Sequence, residues 1–179
     1  MALTQTQVSQ LYISILGRAS EGTGSAFWMN SSDMTTAAAS MLDSAGAKAY
    51  FGTSVDTNAA FVQHIYVNTL GKVAGADVEG EAFWTAALDS GMSRAEIVVS
   101  MIDAVTGTAN AGKPAQNTFN NKVDVSNYVA ANIDESNPGD NNAALTGYIS
   151  SVTDDAASVT AAKAAVDADI PGVEGQTYD

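Results

Sequence analysis

The residues able to do chemistry in this sequence come mostly in pairs. Arg18 follows Gly17 and Lys72 follows Gly71, so each cation sits just past what reads as a helix end. Such a cation either meets the negative end of the helix dipole or is held beside a glycan hydroxyl or phosphate. Trp28 and Trp84 each follow a phenylalanine. Their rings either offer a sugar-stacking platform or form the core of a repeat, and repetition at helical spacing favours the core. Asp77 and Glu79 precede a helix, where carboxylates satisfy free N–H groups. The same oxygens suit calcium, although the loop lacks the EF-hand pattern. Asp134, Glu135, Asn137 and Asp140 make a second oxygen-rich stretch, read as a solvated turn. His64, the one histidine, adjoins an apolar stripe with no cysteine or second histidine to help it, and reads as a packed or surface residue.

No nucleophile constellation accompanies them. The sequence has no Gly-x-Ser-x-Gly elbow, no phosphate loop with lysine and no His-Glu-x-x-His. A carboxylate pair for glycoside hydrolysis is not singled out by spacing. The reading is therefore of a non-enzyme, with no cofactor required and calcium as the one compatible ion.

Composition narrows the partners. Charged residues are 15% of 179, with 20 acidic against 7 basic, a formal net charge of -13. The few cations are scattered, so phosphate neutralisation along a nucleic acid and direct attraction to an anionic membrane are both disfavoured. Cysteine is absent, which excludes a disulfide framework. The opening Met1-Ala2-Leu3-Thr4 has neither the basic region nor the apolar run of a Sec signal. The expectation is a cytosolic protein or one exported by a route that reads a C-terminal signal. No apolar run reaches the roughly 18 residues of a membrane span.

Helices must position these residues. Thr4 and Gln7 have capping-box spacing, and Val8, Leu11, Tyr12, Ile15 and Leu16 follow at helical period until Gly17. A second helix holds Phe27 and Trp28, and a third runs from about Asp33 to Asp43. The pattern then returns. Leu11-Tyr12 through Gly17-Arg18 recurs as Ile65-Tyr66 through Gly71-Lys72. Ala26-Phe27-Trp28 recurs as Ala82-Phe83-Trp84, and Ser40-Met41-Leu42-Asp43 as Ser100-Met101-Ile102-Asp103. This is an internal duplication. Ser93 and Glu96 supply another capping box. After a Gly/Thr/Asn/Ala loop come a long helix with Phe119, Val125, Tyr128, Val129 and Ile133, a turn at 136–140, a helix with Leu145, Tyr148, Ile149 and Val152, and a last helix with Val159, Ala162 and Val166, ended by Pro171 and Gly172. The chain reads as all-α: two copies of a three-helix repeat (about 4–52 and 57–105, within 1–105), a loop at 106–114, a C-terminal helical lobe at 115–170 and a linker at 171–179 leading to a downstream region.

The stretch Val8-Ser9-Gln10-Leu11-Tyr12-Ile13-Ser14-Ile15-Leu16-Gly17, with Ala19-Ser20-Glu21-Gly22, Gly24 and Trp28, resembles the N-terminus of surface-layer proteins of Gram-negative bacteria. Met41-Leu42-Asp43-Ser44, Gly46-Ala47, Tyr50-Phe51-Gly52, Ile65-Tyr66, Leu70-Gly71 and Phe83-Trp84 continue the likeness. The layout also resembles a helical repeat domain of unknown function in type I-secreted calcium-binding repeat proteins. The resemblance implies a cell-surface anchoring domain that binds lipopolysaccharide glycan outside the outer membrane, beside neighbouring surface-layer subunits, with no nucleic acid and no membrane insertion. It gives no individual glycan-binding residues. Two other readings stay open: a helical protein–protein contact module in a surface lattice or adhesin, and a glycan-active enzyme.

Overall fold

Local signals start and stop most of the helices where the sequence places them. The computed structural model describes residues 3–134 and 142–177, of which 142 and 171–177 are described by backbone alone. The turn read at 136–140 lies outside these residues. So do Glu135, Asn137 and Asp140 of the second oxygen-rich stretch.

Helix α1 (Gln5–Leu11) begins at a complete capping box: the Thr4 hydroxyl accepts from the Gln7 N–H, and the Gln7 side chain accepts from the Thr4 N–H. It continues as a π-helical turn, Tyr12–Leu16, closed by Gly17 at φ 62°. Only glycine adopts that left-handed geometry cheaply. Then follow α2 (Gly22–Trp28), α3 (Met34–Leu42), α4 (Ala45–Phe51), α5 (Asn58–Leu70), α6 (Val78–Asp89) and α7 (Arg94–Thr106). Asp33, Thr57, Asp77 and Ser93 cap α3, α5, α6 and α7 through their side chains. Gly71 closes α5 at φ 67°, matching Gly17. A 3-10 turn (Thr108–Asn110) leads to α8 (Pro114–Asn132), α9 (Asn142–Ser150) and α10 (Ala156–Thr177). Among the described residues there is no strand, and the fold is all-α.

Three features differ from the sequence reading. The end of the first helix widens to π geometry, which the apolar spacing alone does not distinguish from α. The first copy contains a fourth helix, α4. Where it would recur, the second copy has only the 3-10 turn. Helix α10 does not stop at Pro171 but runs through Gly172 to Thr177, so residues 171–177 are helical where a linker was expected. A proline in a helix forfeits one amide hydrogen bond, and this loss does not end the helix here.

Two apolar cores form. The larger takes both repeat copies, with Leu11, Ile15, Met41, Phe61, Ile65, Ile97, Met101 and Ile102 fully buried. The smaller gathers Val125, Val129, Ile133, Leu145, Ile149 and Val166, with Ala19 from the first copy. Helix α8 serves both, sending Phe119 and Val123 into the first and Val125 and Val129 into the second. A buried polar seam locks the junction. The Gln5 amide donates to Ser9, Ser20 and Ser25, Ser9 donates to Asn127, and the Ser20 N–H donates to Ser126. Gly22 is needed there, since a Cβ would stand 3.0 Å from the Ala130 carbonyl oxygen.

Because α8 belongs to both cores, they unfold together. Phe119→Ala is expected to cost about 3–5 kcal/mol and Leu145→Ala about 2–5 kcal/mol, each within a single denaturant transition. Two separated transitions in either variant contradict a shared α8.

Candidate functional site

Each repeat copy builds the same constellation around a tyrosine. In the second, Tyr66 on α5 donates its hydroxyl to Asp77 Oδ2, while Asp77 Oδ1 accepts from the Gly80 N–H at 2.9 Å and so caps α6. Lys72, just past Gly71, lies 5.9 Å from the Tyr66 ring centroid and 3.3 Å from Asp77 Oδ2. In the first copy the Arg18 guanidinium stands 5.2 Å over the Tyr12 ring, and Glu21 takes the place of Asp77 beside the Tyr12 oxygen. Glycine is required beside each carboxylate. A Cβ on Gly80 would lie 2.6 Å from Asp77 Oδ2 and 2.8 Å from the Tyr66 oxygen, and a Cβ on Gly24 would collide with Glu21 and Tyr12.

Electrostatics follow the geometry. Burial, then the nearby carboxylates, push the Tyr12 and Tyr66 phenols above their ordinary value. The Tyr66 hydroxyl is the first cause holding Asp77 below its ordinary value, with the Gly80 N–H next. His64 is a packed residue. Its Nε2 lies 3.0 Å from the Ile15 carbonyl oxygen, and its ring meets Tyr50 and Phe51 edge-on. Burial pushes its pKa down, against the opposing pull of the Ile15 bond. The side chains of His64 and Asn68 both reach carbonyls of the π turn, at Ile15 and Ser14, which that wider turn leaves for other donors.

The four glycan candidates thus separate. Arg18 and Trp28 line one cleft of ≈ 350 Å³, with Phe27, Tyr12 and the α4 residues Gly46 and Ala47. A neighbouring cleft adds Asn30, Ser31, Ser40 and Ser44 around Phe27 and Trp28. Lys72 is drawn into the Tyr66–Asp77 constellation as Arg18 is into that of Tyr12, and both Trp28 and Trp84 pack one side against the larger core. In both copies the phenylalanine is the more exposed ring, Phe27 at 67% and Phe83 at 66%, each edge-on to its half-buried tryptophan. The sequence reading singled out the tryptophans and missed these phenylalanines. Asp77 is engaged as a cap, Glu79 is exposed in the first turn of α6, and no three of His, Asp and Glu converge as a metal ligand set among the described residues.

A larger groove, ≈ 740 Å³, opens on the other side of Ser40, between α3, α4 and the start of α7. Arg94 lines it. The sequence held a signal for this residue: a cation in the first turn of a helix opposes the dipole, so another role is implied.

Residues 38–106 match a family described as a domain of unknown function (DUF4214). The match runs from α3 through α7 and takes in most of the groove. No curated protein and no solved structure matches the chain.

The Tyr66–Asp77 bond has a pH signature. Asp77, with a lowered folded pKa, contributes stability above the ordinary carboxylate range and loses it as pH falls. Tyr66, with a raised folded pKa, contributes below its ordinary value of 10.0 and loses that contribution at higher pH. The stability advantage of the native protein over Tyr66→Phe is therefore expected to peak near neutrality and narrow toward both extremes. Denaturant titrations at acid, neutral and alkaline pH measure it. A constant difference contradicts the assignment.

Proposed function

We propose that this chain is a non-catalytic anchoring domain of a surface-layer protein, exported by the type I route, that binds lipopolysaccharide glycan outside the outer membrane. The observation that carries this reading is the shelf formed by exposed Phe27 and half-buried Trp28, bordered by the polar groups of Asn30, Ser31, Ser40 and Ser44. Pyranose rings present apolar C–H faces and a fringe of hydroxyls. An aromatic surface edged with side-chain donors and acceptors matches both. Arg18 and Glu21 line the adjoining cleft and add one charge of each sign to it.

Charge limits how such a domain would work. At a net charge of -13 the chain gains nothing from long-range attraction to anionic lipopolysaccharide. Recognition therefore rests on short-range contacts to neutral O-antigen sugars, or on calcium bridging two acidic partners. Among the described residues no helix is long and apolar enough to cross a membrane, so contact with the cell surface is peripheral in this reading.

A second reading, contact with neighbouring subunits in a lattice, is favoured by a different observation. Phe27 and Phe83 are exposed at equivalent positions, and Val73 and Val78 are also exposed in the second copy. The readings differ in which phenylalanine matters.

Co-sedimentation with smooth and rough lipopolysaccharide, in calcium and in chelator, separates them. Anchoring predicts sedimentation with the smooth form, weakened about tenfold by Phe27→Ala and unaffected by Phe83→Ala. Loss in chelator assigns a calcium bridge, and persistence assigns direct sugar contact. No sedimentation with either form moves the assignment to subunit contact.

A further inference from the structure

The groove between α3, α4 and α7 differs in charge from the rest of the molecule. Its walls hold Arg94 and Lys48 against one carboxylate, Asp43, so two cations less one anion leave +1 on a chain of -13. The two cations are not equivalent. Lys48 pairs with Asp43 at 2.7 Å in an exposed bridge, the kind that holds only weakly. Arg94 makes no ion pair among the described residues. Its guanidinium lies 4.6 Å from the Phe61 ring centroid. A guanidinium held over a ring keeps N–H groups free for other acceptors, and its planar fork is suited to two-point recognition of a carboxylate.

The remaining surface states what carries that carboxylate. Leu42, Phe51 and Val55 form an apolar floor, and the hydroxyl-bearing Thr35, Thr36 and Ser40 lie along the rim. A polyhydroxylated ring with one apolar face fits such a floor and hydroxyl-bearing rim. A volume of ≈ 740 Å³ falls within the range of clefts that take small ligands. A net +1 balances a monoanionic carboxylate and leaves a phosphate dianion undercompensated.

We propose that this groove is a second glycan subsite, which takes an acidic sugar of the uronic acid class with its carboxylate on Arg94 and its ring over Phe51 and Val55. The proposal rests on the glycan-binding reading above and adds to it a charged residue in the bound polysaccharide. Ser40 lines both the groove and the cleft beside Trp28, so one chain of sugars can pass from shelf to groove.

Calorimetric titration with trigalacturonic acid, and with neutral maltotriose as control, tests it. The acidic trisaccharide is expected to bind the native protein at least about tenfold more tightly than the neutral one, and to weaken as salt is raised. Arg94→Gln loses about tenfold, and Arg94→Lys recovers part of that loss by restoring charge without the planar fork. Lys48→Gln has a smaller effect. Circular dichroism confirms that each variant is folded. Equal affinity for the two trisaccharides overturns the proposal, as does unchanged binding by a folded Arg94→Gln. Absence of acidic-trisaccharide binding in protein that still sediments with lipopolysaccharide overturns the groove and leaves the anchor. Binding of the trisaccharide without sedimentation supports the groove and removes the anchor.

Discussion

One hydrogen bond, from the Tyr66 phenol to the carboxylate that caps α6, fixes the geometry from which the rest of the repeat follows. Asp77 is held by its neighbours in three ways: it accepts from the tyrosine of the preceding helix, accepts from the first turn of its own helix and meets Lys72 beyond the glycine turn. That arrangement ties the end of α5 to the start of α6 and sets the angle between them. It also dictates composition. The turn must be glycine to reach φ 67°, and the residue three after the carboxylate must be glycine to let the phenol approach. The first copy repeats the plan with Tyr12, Gly17, Arg18, Glu21 and Gly24, so the cations past each glycine have a structural use in both copies.

With the two copies fixed alike, their differences carry the functional argument. Helix α4 exists only in the first copy, and its residues Gly46 and Ala47 help wall the cleft beside Trp28, while Lys48 and Phe51 help wall the groove. Duplication thus supplies two equivalent aromatic pairs, and one extra helix gives the first pair recessed surface around it. Among the described residues, the C-terminal lobe lines neither cleft. It is bound to the first copy by the serine and amide seam around Gln5 and Ser20 and by α8, which shares its apolar face between two cores. A seam of small hydroxyl groups allows helices to approach closely without charge, in keeping with a chain whose charged fraction is 15%.

Much of this architecture was legible in the sequence because it is locally encoded. The capping boxes at Thr4–Gln7 and Ser93–Glu96, the glycines at 17 and 71, the Asp77 cap and the duplicated Tyr, Gly and Phe-Trp elements are all readable within a few residues of one another. What escaped is nonlocal or lacks contrast. Helix α4, Ala-Gly-Ala-Lys-Ala-Tyr-Phe, has small residues where a periodic stripe would be sought. The π turn keeps the same apolar spacing as an α-helix. The site was legible only in part. Arg18 and Trp28 do share a cleft, but which ring of each Phe-Trp pair faces solvent depends on how α2 and α6 are rotated against the core. The groove joins residues from α3 to α7 that are far apart in the chain, and only the unfavourable placement of Arg94 in a helix's first turn hinted at it.

The proposed function requires that the Phe27–Trp28 shelf of the first copy, and not the Phe83–Trp84 pair of the second, receives a glycan. The two indole N–H groups of Trp28 and Trp84 provide one reporter for each copy in a proton–nitrogen correlation spectrum. Titration of the labelled protein with O-polysaccharide freed of lipid A tests the claim directly. The Trp28 indole signal is expected to move, together with amides of α3 and α4, while the Trp84 indole stays in place. Two unmoved indoles, or a shift of Trp84 alone, would contradict it.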